Sequence, residues 1–251
     1  MMNRIYSLLV LFLFSVAVSA TDIKLNTRNL PANAVTEAQQ KTSKIMEKLS
    51  LTNDSIRENI KIVITNRYLE LREIHQRYDE RNKVIEAKRL SKEVEAEELE
   101  RSYYQYNSDL YRSRFDYIAW LSFYLNDQQV ETVVDAMTYN LFHVRYNDFL
   151  DLFPNLTEAE KKRVYHWLIE AREFSMDFET PRKMRQMFTK YRGRINNYLS
   201  SRGYDLRKAT EEQEARRLKK NKCPVLITIL FSFRLIIVFL RSNQTQYENE
   251  K

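Results

Sequence analysis

The sequence predicts an all-α protein, a single-domain helical bundle of five to seven helices. The chain of 251 residues holds only 2 glycines and 4 prolines, far below the roughly 7% and 5% of ordinary globular chains. The Asn-Gly and Asp-Gly pairs that favour tight hairpin turns do not occur. Apolar residues recur at helical spacing in every segment of the central chain. These observations favour helices throughout and predict no sheet.

The first three predicted helices lie in the amino-terminal half of the chain. They cover about residues 35–49, from Asp54 to beyond Tyr78, and about 93–125. His75 lies on the apolar seam of the second helix, so we interpret it as a packed core histidine. The run "EAKRLSKEVEAEELE" must contain the turn between the second and third helices, yet it holds neither Gly nor Pro, and the sequence does not place that turn.

Capping signals mark the later helices. Asn126 with Gln129, and Thr157 with Glu160, have the spacing of capping boxes, so helices are expected to begin there. The fourth helix is expected to run from the first of these caps until Pro154 stops it.

The sixth helix is bounded by residues suited to its two ends. Thr180 is a capping residue ahead of Pro181, and Gly203 can close the helix in a left-handed conformation. Gly193 lies inside this helix, where it costs about 1 kcal/mol relative to alanine. We therefore expect close backbone packing or ligand approach at Gly193.

The two ends of the chain differ from its centre. Residues 1–20 have the charged start, apolar run and small-residue end of a cleaved signal peptide, which predicts an exported, periplasmic or secreted protein. Residues 21–34 are expected to form a leader arm, and 35–222 the all-α domain. The apolar tail, 223–251, holds a 16-residue run interrupted by Arg234. It is a poor membrane anchor, and its composition is typical of read-through or frameshifted sequence.

Charge is distributed unevenly. Residues 181–222 carry 14 lysines and arginines against 4 acidic residues, whereas residues 21–180 carry 23 against 28. Such a basic region favours an anionic partner, although a solvated basic helix has the same pattern. In an exported protein, acidic polysaccharide or a membrane surface is favoured over nucleic acid, and we expect no membrane contact through the tail.

Catalytic and metal-binding signatures are absent from the sequence. Only three histidines and one cysteine occur, and no nucleophile elbow, zinc motif or phosphate-binding loop is found. The row His166, Glu170, Glu173 and Asp177 has the spacing of a metal-binding face, but Arg163 shares that face and a solvated charged surface is favoured. We expect no cofactor and no metal. The sequence favours a non-catalytic protein and leaves hydrolysis open.

The segment "TYNLFHVRYNDFLD", residues 138–151, carries the candidate binding site. On one helix, Asn140, His143, Asn147 and Asp151 would share a stripe. Such a stripe is either a buried hydrogen-bond network or the wall of a site for sugar hydroxyls, with aromatic faces for pyranose rings. Asn196 is a neighbour of the candidate site in the sequence. The candidate set has nine residues: Asn140, His143, Tyr146, Asn147, Trp167, Arg172, Glu173, Arg194 and Asn197.

Two segments carry a family resemblance. The sequence "MTYNLFHVRYNDFLDLFPNLTEAEKKRVYHWLIEAREFSMD", followed by "KYRGRINNYLSSRGYDL", resembles an uncharacterised family of exported Bacteroidetes proteins, catalogued as domain of unknown function 3826. The resemblance covers roughly residues 35–218. It implies sugar binding and a role in polysaccharide utilisation, brings no established catalytic residues, and favours a binding site over a buried network.

Together these observations predict a non-catalytic, glycan-binding accessory protein of the cell envelope. The alternative is a periplasmic helical chaperone that binds unfolded clients, because the chain's helix starts resemble the Leu-Thr-x-x-Gln pattern of such chaperones, which only "LNDQQ" comes near and in which "LTEAE" replaces the glutamine. A single polar and aromatic pocket would favour sugar, and a broad apolar concavity would favour the chaperone.

Overall fold

A computed structural model describes residues 23–219 of the chain. Within this range every regular element is a helix, which confirms the all-α prediction. The described residues form eight helices, one more than the upper expectation. The predicted fourth helix is divided into two, and a further helix follows Gly203. The helices are α1 (Ala32–Met46), α2 (Asp54–Ala87), α3 (Lys92–Tyr124), α4 (Asp127–Met137), α5 (Leu141–Leu152), α6 (Glu158–Ser175), α7 (Pro181–Ser201) and α8 (206–219).

The chain divides into two compact units. Unit 1 is Met1–Asn126 and unit 2 is Asp127–Lys251. The described part of unit 1 contains α1, α2 and α3, and that of unit 2 contains α4 to α8. The signal-peptide and tail predictions fall on residues outside the described range. No helix of the described residues is long and apolar enough to cross a membrane.

In unit 1, the long helix α2 packs against both α1 and α3. His75 is buried, and its Nδ1 lies 3.0 Å from the hydroxyl of Tyr106, beside the apolar cluster that includes Leu71. The interpretation of His75 as a core histidine is confirmed. The turn that the sequence did not place follows Ala87 and contains Arg89 at a positive φ of 51°.

The leader arm is held against unit 1. Asn66 of α2 accepts a hydrogen bond from the amide of Asn26 (2.9 Å) and donates one to the carbonyl of Lys24 (3.0 Å). Arg28 donates to Glu70 across 3.2 Å. These contacts give residues 23–28 a defined course over α2.

In unit 2, α6 packs against α5 and α7. The predicted capping box at its start is confirmed, since Thr157 and Glu160 each accept a hydrogen bond from the other's backbone amide. The core between these helices is built from apolar residues of α5, α6, α7 and α8, including Phe142, Phe149, Leu168, Phe188, Ile195 and Ala209.

The ends of α7 follow the sequence prediction, but its interior glycine does not. Thr180 caps the start ahead of Pro181. Gly203 has a φ of 91°, and Tyr204 donates to the carbonyl of Leu199 across 3.1 Å, which closes the helix. Gly193, however, faces open space, because a Cβ added there would meet nothing within 4 Å. The expectation of close backbone packing at Gly193 was wrong.

Candidate binding groove

The predicted stripe does not lie on one helix. Tyr139 and Asn140 both have positive φ angles, 55° and 56°, and they separate α4 from α5. The amide of Asn140 donates to the carbonyl of Asp135 across 2.7 Å, which ends α4. Asn140 therefore heads α5 without capping it through its side chain. Asparagine tolerates this backbone region better than most residues, which allows the turn without glycine.

Arg172 joins three of the helices of unit 2. This arginine of α6 is only 3% exposed. Its guanidinium donates to Glu131 (2.6 Å) and Asp135 (3.0 Å) of α4 and to its neighbour Glu173 (3.2 Å). His143 of α5 lies 2.8 Å from the other carboxylate oxygen of Asp135. The predicted residues His143, Arg172 and Glu173 thus meet in an ion-pair network.

The charge of Arg172 is compensated within this network. Burial alone would lower the pKa of Arg172, but the hydrogen bonds that its guanidinium donates to Glu131 and Asp135 outweigh burial and raise that pKa above its usual range. A permanently charged side chain whose two terminal nitrogens donate to three carboxylates holds α4 against α6. Arg172 is therefore better suited to a structural role than to ligand binding.

Trp167 belongs to a second group, between α6 and α7. The guanidinium of Arg194 lies 4.7 Å from the centre of the Trp167 ring, and that of Arg163 lies 5.5 Å from it. Tyr198 packs edge-on against the same ring at 5.2 Å. Because arginines and an aromatic edge already contact this indole, Trp167 offers little ring face to a sugar.

The remaining predicted residues join neither group. Tyr146 stacks on Phe142 with ring centres 6.0 Å apart and meets Tyr165 edge-on at 5.4 Å. Asn147 and Asn197 are exposed. The nine candidate residues are therefore divided between two contact groups and exposed positions, and they do not line one pocket.

A groove of about 380 Å³ lies instead between α5, α7 and α8. We call it the arginine groove, because Arg145, Arg192 and Arg217 line it. Asp148 is its one acidic lining residue among the described part of the chain. Its remaining lining is apolar or uncharged and polar: Phe149, Leu152, Leu206, Asn196, Thr210 and Gln213.

Asp151, the last member of the predicted stripe, positions the α8 wall of the arginine groove. Its carboxylate accepts hydrogen bonds from Gln213 (2.7 Å) and Arg217 (3.0 Å). The hydrogen bond from Arg217, followed by that from Gln213, lowers the pKa of Asp151. The carboxylate therefore stays ionised at neutral pH and fixes two of the lining side chains.

Asn196 lines the groove and carries one unpaired polar atom. Its Oδ1 atom is buried and has no hydrogen-bond partner among the described residues. A buried polar atom without a partner is costly to the folded state. From the sequence, Asn196 was expected to lie near the site, but the three arginines were not. The excess of basic residues in 181–222 was the signal that pointed to two of them.

One known protein family matches most of the residues that form this fold. The family model described as "Protein of unknown function (DUF3826)" matches residues 35–219. The chain belongs to this family. The match spans helices of both units, so the family is defined by the two units together. No curated protein matches the chain.

Proposed function

We propose that this DUF3826 member is an exported, non-catalytic protein that binds acidic polysaccharide in the arginine groove. The observation that carries the proposal is the lining of the groove, in which three arginines stand against a single aspartate. A guanidinium binds a carboxylate through two parallel hydrogen bonds, which suits the carboxylate of a uronic acid.

The other lining residues suit the remainder of such a ligand. Phe149, Leu152 and Leu206 provide apolar surface for the C–H face of a sugar ring, while Asn196 and Gln213 provide amide groups for hydroxyls. A volume of about 380 Å³ falls within the range of ordinary ligand sites, about 300–1,000 Å³. The groove can therefore hold a short segment of a chain.

Calorimetric titration with an oligogalacturonate tests the proposal. We expect saturable binding that weakens with added salt, because exposed charges are screened beyond about 8 Å at physiological ionic strength. Arg192→Gln should weaken that binding about tenfold or more, since it removes a hydrogen bond between charged groups.

Arg182→Gln is the matched control. Arg182 is an exposed arginine of the same helix, and ten residues place it about 15 Å from Arg192 along the axis. The control removes the same charge and should leave affinity unchanged. Equal losses of affinity in the two variants would indicate non-specific electrostatic attraction and would contradict a specific site in the arginine groove. If the protein bound a neutral glucan with equal affinity, the charge of the arginines would not explain binding.

One observation favours the second candidate function, binding of unfolded protein segments. Five aromatic side chains of α3 are more than half exposed: Tyr103, Tyr104, Tyr111, Phe115 and Phe123. Exposed aromatic residues can contact apolar segments of other chains. Suppression of the aggregation of a reduced, unfolding client would support this function, and replacement of Tyr111 and Phe115 by serine should then abolish the suppression.

A further inference from the structure

One flank of α7 continues beyond the arginine groove. Four residues of this helix follow one another at intervals of four, three and four positions, so their side chains project from the same flank. They are Arg185, Thr189, Arg192 and Asn196. Arg192 and Asn196 line the groove. Arg185 and Thr189 are exposed and lie nearer the start of the helix. Polar surface therefore runs from the groove towards the amino-terminal end of α7.

The two arginines of this flank differ from the other arginines of the groove. The other two are each paired with an aspartate, Asp148 at 3.4 Å and Asp151 at 3.0 Å. Arg185 and Arg192 form no ion pair with any residue of the described range 23–219. The helix itself contains no acidic residue. Two guanidinium groups of this kind on one flank favour an anionic ligand that reaches both.

The surface between these two arginines is low and open. Thr189 lies between them, and its hydroxyl donates a hydrogen bond to the carbonyl of Arg185 across 2.9 Å, so this short side chain folds back onto the helix. Gly193, next to Arg192, has no side chain, and a Cβ added there would meet nothing within 4 Å. A glycine in such a place lets a ligand approach the backbone closely. A chain that occupies the groove can therefore continue along α7.

We infer that the ligand of the arginine groove is a chain of several acidic sugars, which continues along α7 and binds Arg185 as well as Arg192. This inference rests on the proposed function and specifies its ligand, a polyanionic chain in place of a single sugar acid. Seven positions separate the two arginines by about 10 Å along the helix axis. A carboxylate bound through two parallel hydrogen bonds engages one guanidinium, so each arginine takes the carboxylate of a different sugar.

Calorimetric titration with two ligands of different length tests this inference. Galacturonate has one carboxylate and should bind in the groove alone, whereas hexagalacturonate should bind both arginines of the flank. Arg185→Gln should therefore weaken the binding of hexagalacturonate about tenfold and leave that of galacturonate unchanged, since only the longer ligand loses a contact between charged groups. Comparing variants with the same ligand removes the statistical advantage of hexagalacturonate, which offers several carboxylates to the groove.

Lys190→Gln is the matched control. Lys190 is exposed and lies closer to Arg192 along the helix than Arg185 does, but a rotation of about 200° places it on the opposite side. The control removes the same charge and should leave the affinity for both ligands unchanged. If Lys190→Gln weakened the binding of hexagalacturonate as much as Arg185→Gln does, the attraction would be general and the inference would be overturned.

Arg192→Gln separates this inference from the proposed function. This variant should weaken the binding of both ligands, because both occupy the groove. If it does so while Arg185→Gln binds hexagalacturonate with unchanged affinity, the ligand does not extend along α7, so the inference is overturned and the proposed function stands. If neither ligand binds the unaltered protein, both the proposed function and the inference are overturned.

Discussion

Unit 1 and unit 2 each bury an arginine, and they hold its charge in different ways. Arg172 of unit 2 is hydrogen-bonded to three carboxylates that join α4 to α6. Arg67 of unit 1 donates to the hydroxyl of Ser113 and so joins α2 to α3. Each arginine therefore holds two helices of its unit together, through carboxylates in unit 2 and through a hydroxyl in unit 1.

The largest expected effect comes from removing these two arginines in turn. Arg172→Met leaves Glu131, Asp135 and Glu173 without their shared cation, so the free energy of unfolding of unit 2 should fall by about 3 kcal/mol. This is the lower end of the range for buried pairs, because the Glu131 side chain is 58% exposed and stays solvated.

Arg67→Met should lower the free energy of unfolding of unit 1 by at least about 1 kcal/mol, because Ser113 loses a hydrogen bond and the contact of the guanidinium with the ring of Tyr117 is lost. Urea denaturation followed through Trp120 for unit 1 and Trp167 for unit 2 measures both values. Unchanged stability of either variant would contradict the structural role of its arginine.

Each unit contains a glutamate with a lowered pKa, and the two glutamates differ in how exposed they are to solvent. In unit 2, the hydroxyl of Tyr204 and then the amide of Thr157 lower the pKa of buried Glu160 to about 2. In unit 1, Lys41 and then Arg72 lower the pKa of Glu37 to about 2, but the Glu37 side chain is 47% exposed. Solvent therefore screens the contacts of Glu37 and not those of Glu160.

These lowered pKa values predict a loss of stability in acid. A carboxyl with a lower pKa in the folded state stabilises the fold above its unfolded pKa, about 4.3, and this contribution disappears as the pH falls from there towards 2. Glu160→Gln should lower the free energy of unfolding by about 2 kcal/mol at pH 7 and should weaken the dependence of stability on pH. Glu37→Gln should lower that free energy by less than about 1 kcal/mol. Thermal midpoints measured between pH 7 and pH 2 test the difference. Equal effects would show that burial does not matter here.

Local features of the fold could be predicted from the sequence. The box of Thr157 and Glu160 and the left-handed Gly203 depend on a few neighbouring residues, so the sequence contains what determines them. The break at Tyr139 and Asn140 was missed because neither residue is glycine, and because the apolar period continues across the turn.

The candidate site could not be predicted to the same extent, because it depends on distant parts of the chain. Arg145, Arg192 and Arg217 meet in one groove although they are separated by dozens of residues. The sequence indicated a basic carboxyl-terminal region, but not that α8 would pack beside α5. The ion-pair network of Arg172 could not be predicted, because its partners Glu131 and Asp135 lie about forty positions earlier in the sequence.

The most direct test compares variants of His143 and Arg192. We propose that the ligand binds in the arginine groove, which Arg192 lines, and not at the predicted stripe, which contains His143. His143 is half exposed and contacts Asp135, which Arg172 also holds. His143→Ala should therefore cost less than about 1 kcal/mol of stability and leave the affinity for oligogalacturonate unchanged. Arg192→Gln should weaken that affinity about tenfold or more. If calorimetry shows that His143→Ala abolishes binding while Arg192→Gln binds normally, the groove is not the site.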